Sequence, residues 1–272
     1  MTRRNLTILD IREQEFADLQ GRLDPGTMYR GVDTTGRPIR TVTADGQVVG
    51  GGARIVFNGR TGSTSEAAQH NDDLLDALIA EYFGTAITIY FGESYEFRRQ
   101  HIARSAVILE CAGRASSVRW RGNTANDFFF VWSRNSSSPA QQSEDGQVVG
   151  CGVRNFYMNG DRVRLLNGLW FNGVDFPIIE GEAEFIRGTS LRMSNTREAP
   201  RFNWRTRFCG NVDLSNPSNT RPDVDIDISS TAWDASNLNS GAVLKIYYPF
   251  GPGLRMTGGY SNFFSIPSIH IF

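Results

Sequence analysis

The feature that most constrains this chain is a change of hydrophobic period at Gly84. Before it, Leu74, Leu75, Leu78, Ile79 and Tyr82 recur at spacings of three and four, which places them on one face of a helix. After it, Ile87, Ile89 and Phe91 alternate with Thr88 and Tyr90, the period of a strand with one buried face. Beyond residue 86 no second helical run is found. The text breaks instead into short apolar segments divided by Gly, Asn and Ser: 106–109, 117–120, 127–132, 153–158, 162–166, 168–171, 176–179, 224–228 and 243–248. Such segments predict an all-β body of stacked coils with short sides, and 133–143 reads as a loop between coils.

The helix has its own stop and start signals. Ser63-Thr64-Ser65-Glu66 spells a capping box, Asn71 offers a second cap before Asp72-Asp73, and Gly84 stands where a C′ glycine ends a helix. The predicted helix therefore runs over about 66–83. Upstream, residues 1–60 read as an arm. Asp10 to Leu19 predicts a short helix ended by Gly21 and Asp24-Pro25-Gly26. Segments 28–32 and 39–43 flank Asp33-Thr34-Thr35-Gly36 as a hairpin; Asp45-Gly46 offers another turn and Gly50-Gly51-Gly52 a joint. So little apolar material closes no core alone, so the arm is expected to dock on a partner, with 61–272 as the body.

Composition excludes several classes. A formal net charge of -1 and pI near 6.3 give no electrostatic case for nucleic acid or an anionic membrane. No apolar run approaches the roughly 18 residues of a membrane span, and no apolar stretch follows Arg3-Arg4 to make a signal peptide. Of 28 basic residues only Lys245 is lysine, and the arginines are scattered. Cys111, Cys151 and Cys209 lie far apart with no C-x-x-C spacing and are read as reduced and buried. The hexapeptide Asp-Gly-Gln-Val-Val-Gly occurs at 45–50 and at 145–150, which suggests a shared turn-to-strand geometry. Asn155, Asn159, Asn167 and Asn172 sit beside Gly160, Gly168 and Gly173; stacked ladders and ordinary turn asparagines both fit them.

Signatures of common chemistry are missing: there is no Walker loop, H-E-x-x-H or G-x-S-x-G. No cofactor or metal is expected, and His70, His101 and His270 are too dispersed to suggest a site. A glycan-cleaving chain needs two carboxylates roughly 5 to 9.5 Å apart. The densest acids are Asp175, Glu180, Glu182 and Glu184, with Asp213 and the run Asp223, Asp225, Asp227 further on. The last three alternate with Val224, Ile226 and Ile228 and read as a solvated strand face. Glu180, Glu182 and Glu184 share one side of an extended segment, which calls for Arg187, Arg192 or a cation as partner. If the chain is an enzyme, Asp175, Glu180 and Glu182 are the candidates. The five tryptophans (Trp120, Trp132, Trp170, Trp204 and Trp233) are read as packing residues.

From Asn71 to Trp120 the chain resembles the opening of the pectate-lyase-like right-handed parallel β-helix superfamily, and bacteriophage tailspikes within it. The residues that carry the resemblance are Asp72-Asp73, Leu74-Leu75-Asp76-Ala77, Gly84, Ile87-Thr88-Ile89-Tyr90-Phe91, Gly92-Glu93-Ser94-Tyr95, Ile102, Val107-Ile108-Leu109 and Cys111-Ala112-Gly113. The usual Pro before the Gly-x-Tyr turn and one corner glycine are absent. The resemblance implies a right-handed parallel β-helix closed at one end by the helix. It further implies a structural phage virion protein, a short tailspike or fibre-like subunit attached through residues 1–60 and assembled in the host cytoplasm, with host surface polysaccharide as a further contact. Alternatives are a tailspike depolymerase or lyase and a capsid decoration protein. The apolar stretch 259–272 points to burial against symmetry mates, hence a homotrimer.

Overall fold

The computed structural model describes residues 8–12, 28–32, 38–42, 48–50, 53–83, 86–122, 127–133, 148–162, 164–194, 196, 199, 201–227, 243–257 and 265–270. It opens with β1 (Ile8–Arg12), β2 (Met28–Val32), β3 (Pro38–Val42) and β4 (Val48–Gly50), a four-stranded sheet in that order. The hairpin of β2 and β3 is antiparallel as expected, and β3 pairs β4 in the same sense. The helix expected from residue 10 begins instead in the strand β1, which lies parallel to β2; the rest of that segment falls outside the described residues.

Next come β5 (Ala53–Val56), α1 (Ser65–Glu81), β6 (Ile87–Phe91), β7 (Tyr95–Phe97), β8 (His101–Ala103), β9 (Val107–Cys111), β10 (Val118–Trp120) and β11 (Phe128–Ser133). They are followed by β12 (Val148–Val149), β13 (Gly152–Asn159), β14 (Asn167–Asn172), β15 (Val174–Asp175), β16 (Ile178–Glu184) and β17 (Leu191–Ser194). The last are β18 (Arg201–Arg207), β19 (Val224–Asp227), β20 (Val243–Tyr247), β21 (Leu254–Thr257) and β22 (Ser265–His270). In segment 162–166 the described residues, 162 and 164–166, are not in a strand; Leu166 is buried just before β14.

The expected all-β, right-handed parallel β-helix with a capping helix is not what these strands form. They make two mostly parallel sheets: a larger one ordered β22-β20-β18-β16-β13-β9-β6-β5, with β10 and β7 attached through β13, and a six-stranded one ordered β21-β19-β17-β14-β11-β8. A closed solenoid needs a further ladder along its whole length. Among the described residues that position holds only β7 with β10 and the separate β12–β15 pair. With α1 packed against β7 and β8, the layout is α/β-like. The physical reason for the difference is that period-two alternation records which face of a strand is buried, and every parallel stack shares it whether or not the stack closes.

One core lies between the sheets. Phe130, Trp132, Leu169 and Phe171 of the smaller sheet join Ile89, Leu109, Val153 and Trp204 of the larger one in a single buried cluster. Trp132 stacks on Phe171 at 4.4 Å, and its indole Nε1 donates to the carbonyl of Val107 at 2.8 Å, tying the two sheets together. The alternation read from sequence holds in β6, where Ile87, Ile89 and Phe91 are buried. At the start of β13, Gly152 has φ 141° and a Cβ there would lie 1.9 Å from the carbonyl oxygen of Ile178, so only glycine fits.

The helix signals need adjustment. Thr64 is the N-cap, accepting from the Ala67 amide at 3.1 Å, one residue later than the Ser63–Glu66 box requires. Asn71 caps nothing: it lies buried inside α1, accepting from the Arg60 amide and donating to the carbonyls of Arg60 and Glu96. The Asp72-Asp73 pair serves the same joint. Asp72 accepts from the Arg98 and Arg99 amides and meets His101 Nε2 at 3.1 Å, while His101 Nδ1 meets Asp76 at 2.7 Å. His101 is fully buried; burial alone would lower its pKa, but Asp72 and Asp76 outweigh that and raise it above 6.5.

Candidate functional site

On β16 the residues Ile179 and Ala183 point into the core, which turns Glu180, Glu182 and Glu184 outward. Parallel register then places side chains of like height in rows across the larger sheet. Tyr157, Glu182, Arg205 and Lys245 share one row; Asn159, Glu184, Arg207 and Tyr247 share the next; Glu180 stands beside Asn203. Arg114, on a short 3₁₀ turn after β9, reaches over these rows. Its guanidinium donates to both oxygens of Glu182, and to Glu184 at 3.1 Å. Arg205 approaches Glu182 at 3.6 Å and Arg207 approaches Glu184 at 3.5 Å. The Tyr157 hydroxyl donates to Glu184 at 2.9 Å, and the Arg114 guanidinium lies 5.6 Å from the Tyr157 ring.

The electrostatics follow from this geometry. The hydrogen bonds and charge of Glu182, joined by the charge of Glu184, raise the Arg114 pKa against a smaller burial effect. Burial, then the hydrogen bond to Glu184, raises that of the Tyr157 phenol. A cleft of about 340 Å³ opens here, with Arg114, Asn155, Tyr157, Glu180, Glu182 and Arg205 in its wall.

The structure brings Glu180 and Glu182 to one cleft. Asp175 lies on β15, paired with Val149 in the separate two-stranded sheet; its side chain is outside the described residues. The partners expected for the β16 carboxylates from sequence, Arg187 and Arg192, are engaged elsewhere: Arg187 donates to the Arg162 carbonyl and to Asn211, and Arg192 approaches Asp225. The actual partner Arg114 is 68 residues from Glu182, a distance that no sequence spacing signals.

In the run 223–227, Asp223 and Asp225 do not lie on the solvated face expected, and the Asp227 side chain is outside the described residues. Asp223 and Asp225 are buried, as are Val224 and Ile226; Asp223 accepts from the buried Thr206 hydroxyl, and Arg255 lies on Asp225. Arg255 holds Asp225 through both oxygens, at 2.8 and 2.5 Å. Asp213, by contrast, is a turn anchor: hydrogen bonds from the Ser215 hydroxyl, Asn219 and the Asn216 amide bring its carboxyl down to about 2. Trp120, Trp132 and Trp204 are buried core residues, and all three cysteines are buried free thiols. Among the described residues no group of His, Cys, Asp and Glu is placed to hold a metal ion. No described helix is long and apolar enough to cross a membrane.

No protein-family profile and no curated protein matches the chain. A solved structure does: "Geobacillus virus E2 - ORF18" matches with a TM-score of 0.55 at 10% sequence identity, covering 94% of this chain and 54% of that one. At that identity the likeness is one of fold, and this chain spans about half the length of that neighbour.

Proposed function

We propose that this chain is a structural protein of a bacteriophage virion, a short tailspike- or fibre-like subunit that holds its partner rather than cutting it. The observation that carries the reading is the engagement of Glu182 and Glu184. Glycoside cleavage needs a carboxyl group able to reach the leaving oxygen and a second one facing it across the bond. Both oxygens of Glu182 are taken by Arg114, with Arg205 close by, and Glu184 is shared among Arg114, Arg207 and Tyr157. Such a charge-compensated row gives a rigid surface that presents guanidinium, amide and phenol groups, which suits recognition.

The viral origin of the fold neighbour supports placement in a virion. The small, hairpin-bearing segment 1–60 supports attachment there, and the apolar stretch 259–272 supports a homotrimer. Three buried reduced thiols suit assembly in a host cytoplasm. Antibody labelling of intact particles in the electron microscope tests the placement; label absent from virions refutes it. Light scattering of the purified chain is expected to give a trimer, and a stable monomer removes that part. Incubation with host capsule or lipopolysaccharide is expected to leave the glycan intact. Chain shortening abolished by Glu182→Gln or Asp175→Asn would instead establish a depolymerase. A chain lacking residues 1–50 is expected to lose particle binding; the cut stops there because Ala53–Val56 pair with β6 and Phe57 is in the core.

A further inference from the structure

Beside the engaged carboxylates, the cleft on the larger sheet holds a second row: Asn155, Glu180 and Asn203, one residue each from β13, β16 and β18. We infer that this row binds a neutral saccharide, through hydrogen bonds to its hydroxyl groups. The register puts the three residues in line. Glu180 pairs with Asn203. A bulge in β13 sets both Arg154 and Asn155 opposite Glu180, since Val153 matches Ile179 and Phe156 matches Gly181. Asn155 takes φ 46°, a left-handed conformation that asparagine tolerates, and stands exposed where the next residue, Phe156, is buried.

The row differs from the one beside it in its partners. Glu182 and Glu184 are held by Arg114, Arg205, Arg207 and Tyr157. The side chains of Asn155, Glu180 and Asn203 make no hydrogen bond or ion pair among the described residues. Asn155 and Asn203 are exposed and Glu180 is half-buried, so all three reach solvent. They offer a carboxylate acceptor flanked by two amides, each of which both donates and accepts. A hydroxyl group, itself donor and acceptor, matches every one of them.

The rest of the wall selects the class of ligand. Arg114 and Arg205 stand there with Glu180 and Glu182, two positive groups against two negative ones. A ligand charge of either sign therefore meets as much repulsion as attraction. Phe156 is buried and Arg114 lies over the Tyr157 ring at 5.6 Å, so the described wall has no apolar pocket for the side chain of an extended peptide. A lone unpartnered carboxylate suits holding a sugar, whereas cutting one takes a pair. The choice of a saccharide rests on the recognition reading above; the unpartnered row does not.

An array of bacterial capsule and lipopolysaccharide glycans, neutral and acidic, probed with the full chain, tests the inference; calorimetry then follows the neutral glycan held most tightly. At least one neutral glycan is expected to bind, with an affinity that changes by less than about twofold between low salt and about 0.5 M salt. Glu180→Ala and Asn203→Ala are each expected to weaken it about tenfold, and Glu180→Gln less, because its amide oxygen still accepts from a hydroxyl. Both side chains point outward, so the urea midpoints are expected to stay at the wild-type value and a loss of binding is not a loss of fold. The inference is overturned if no neutral glycan binds, if binding is confined to charged glycans, or if the variants match the wild type. Failure here with the chain still found on virions removes the ligand and leaves the virion role standing.

Discussion

Replacing Asp223 by asparagine is expected to change how the stability of this protein depends on pH. The carboxyl is fully buried; Oδ2 accepts from the Thr206 hydroxyl at 2.9 Å, and Oδ1 has no hydrogen-bond partner among the described residues. Burial raises its pKa from the ordinary 3.8 to about 7, the Thr206 hydrogen bond opposing only in part. Between those two values the folded chain keeps a proton that the unfolded chain has released. Stability therefore falls as pH rises from 3.8 to about 7 and is level above it. At about 1.4 kcal/mol per pH unit, that interval is worth on the order of 4 kcal/mol. Asp223→Asn cannot ionise, so its slope is absent. The variant buries an amide where Oδ1 stood, which shifts its whole curve down by about 1 to 3 kcal/mol without tilting it. Urea unfolding of both proteins at a series of pH values from 4 to 8 measures the difference curve, in which the other titrating groups cancel. Parallel curves would refute the reasoning.

Three further outcomes are expected. Gly152→Ala forces a Cβ against the Ile178 carbonyl in a left-handed region and should destabilise the fold by about 3 kcal/mol or more, read from the urea midpoint. His101 has a folded pKa raised above 6.5, so its pairing with Asp72 and Asp76 stabilises fully below pH 6.5 and is lost as pH rises through the folded value; His101→Gln should be closest to wild type in stability on the alkaline side, and an equal gap at every pH refutes this. Burial pushes the Cys111 thiol up to about 12 and those of Cys151 and Cys209 well above their ordinary value, so a thiol reagent at neutral pH should label all three only after unfolding, counted by mass spectrometry.

The sequence by itself determined the local elements. The helix face of Leu75 and Ile79, the alternation in β6, the β2–β3 hairpin and the burial of the cysteines all follow from spacing and residue type, because each depends on neighbours within a few positions. What strands pair with was decided elsewhere. A period of two states which face is buried and is silent about partner and closure, so two parallel sheets with a helix at one end and a closed coil read alike. The same limit governs the sites. Glu182 meets Arg114 across 68 residues, and Trp170, Arg192, Asp225 and Arg255 align only through parallel register. Asp225 looked solvated from its alternation with Val224 and Ile226, yet it is buried, because Arg255 from the next strand covers it. Tertiary structure alone supplied those long-range partners, and with them the difference between a solvated acid and a buried one held by an arginine.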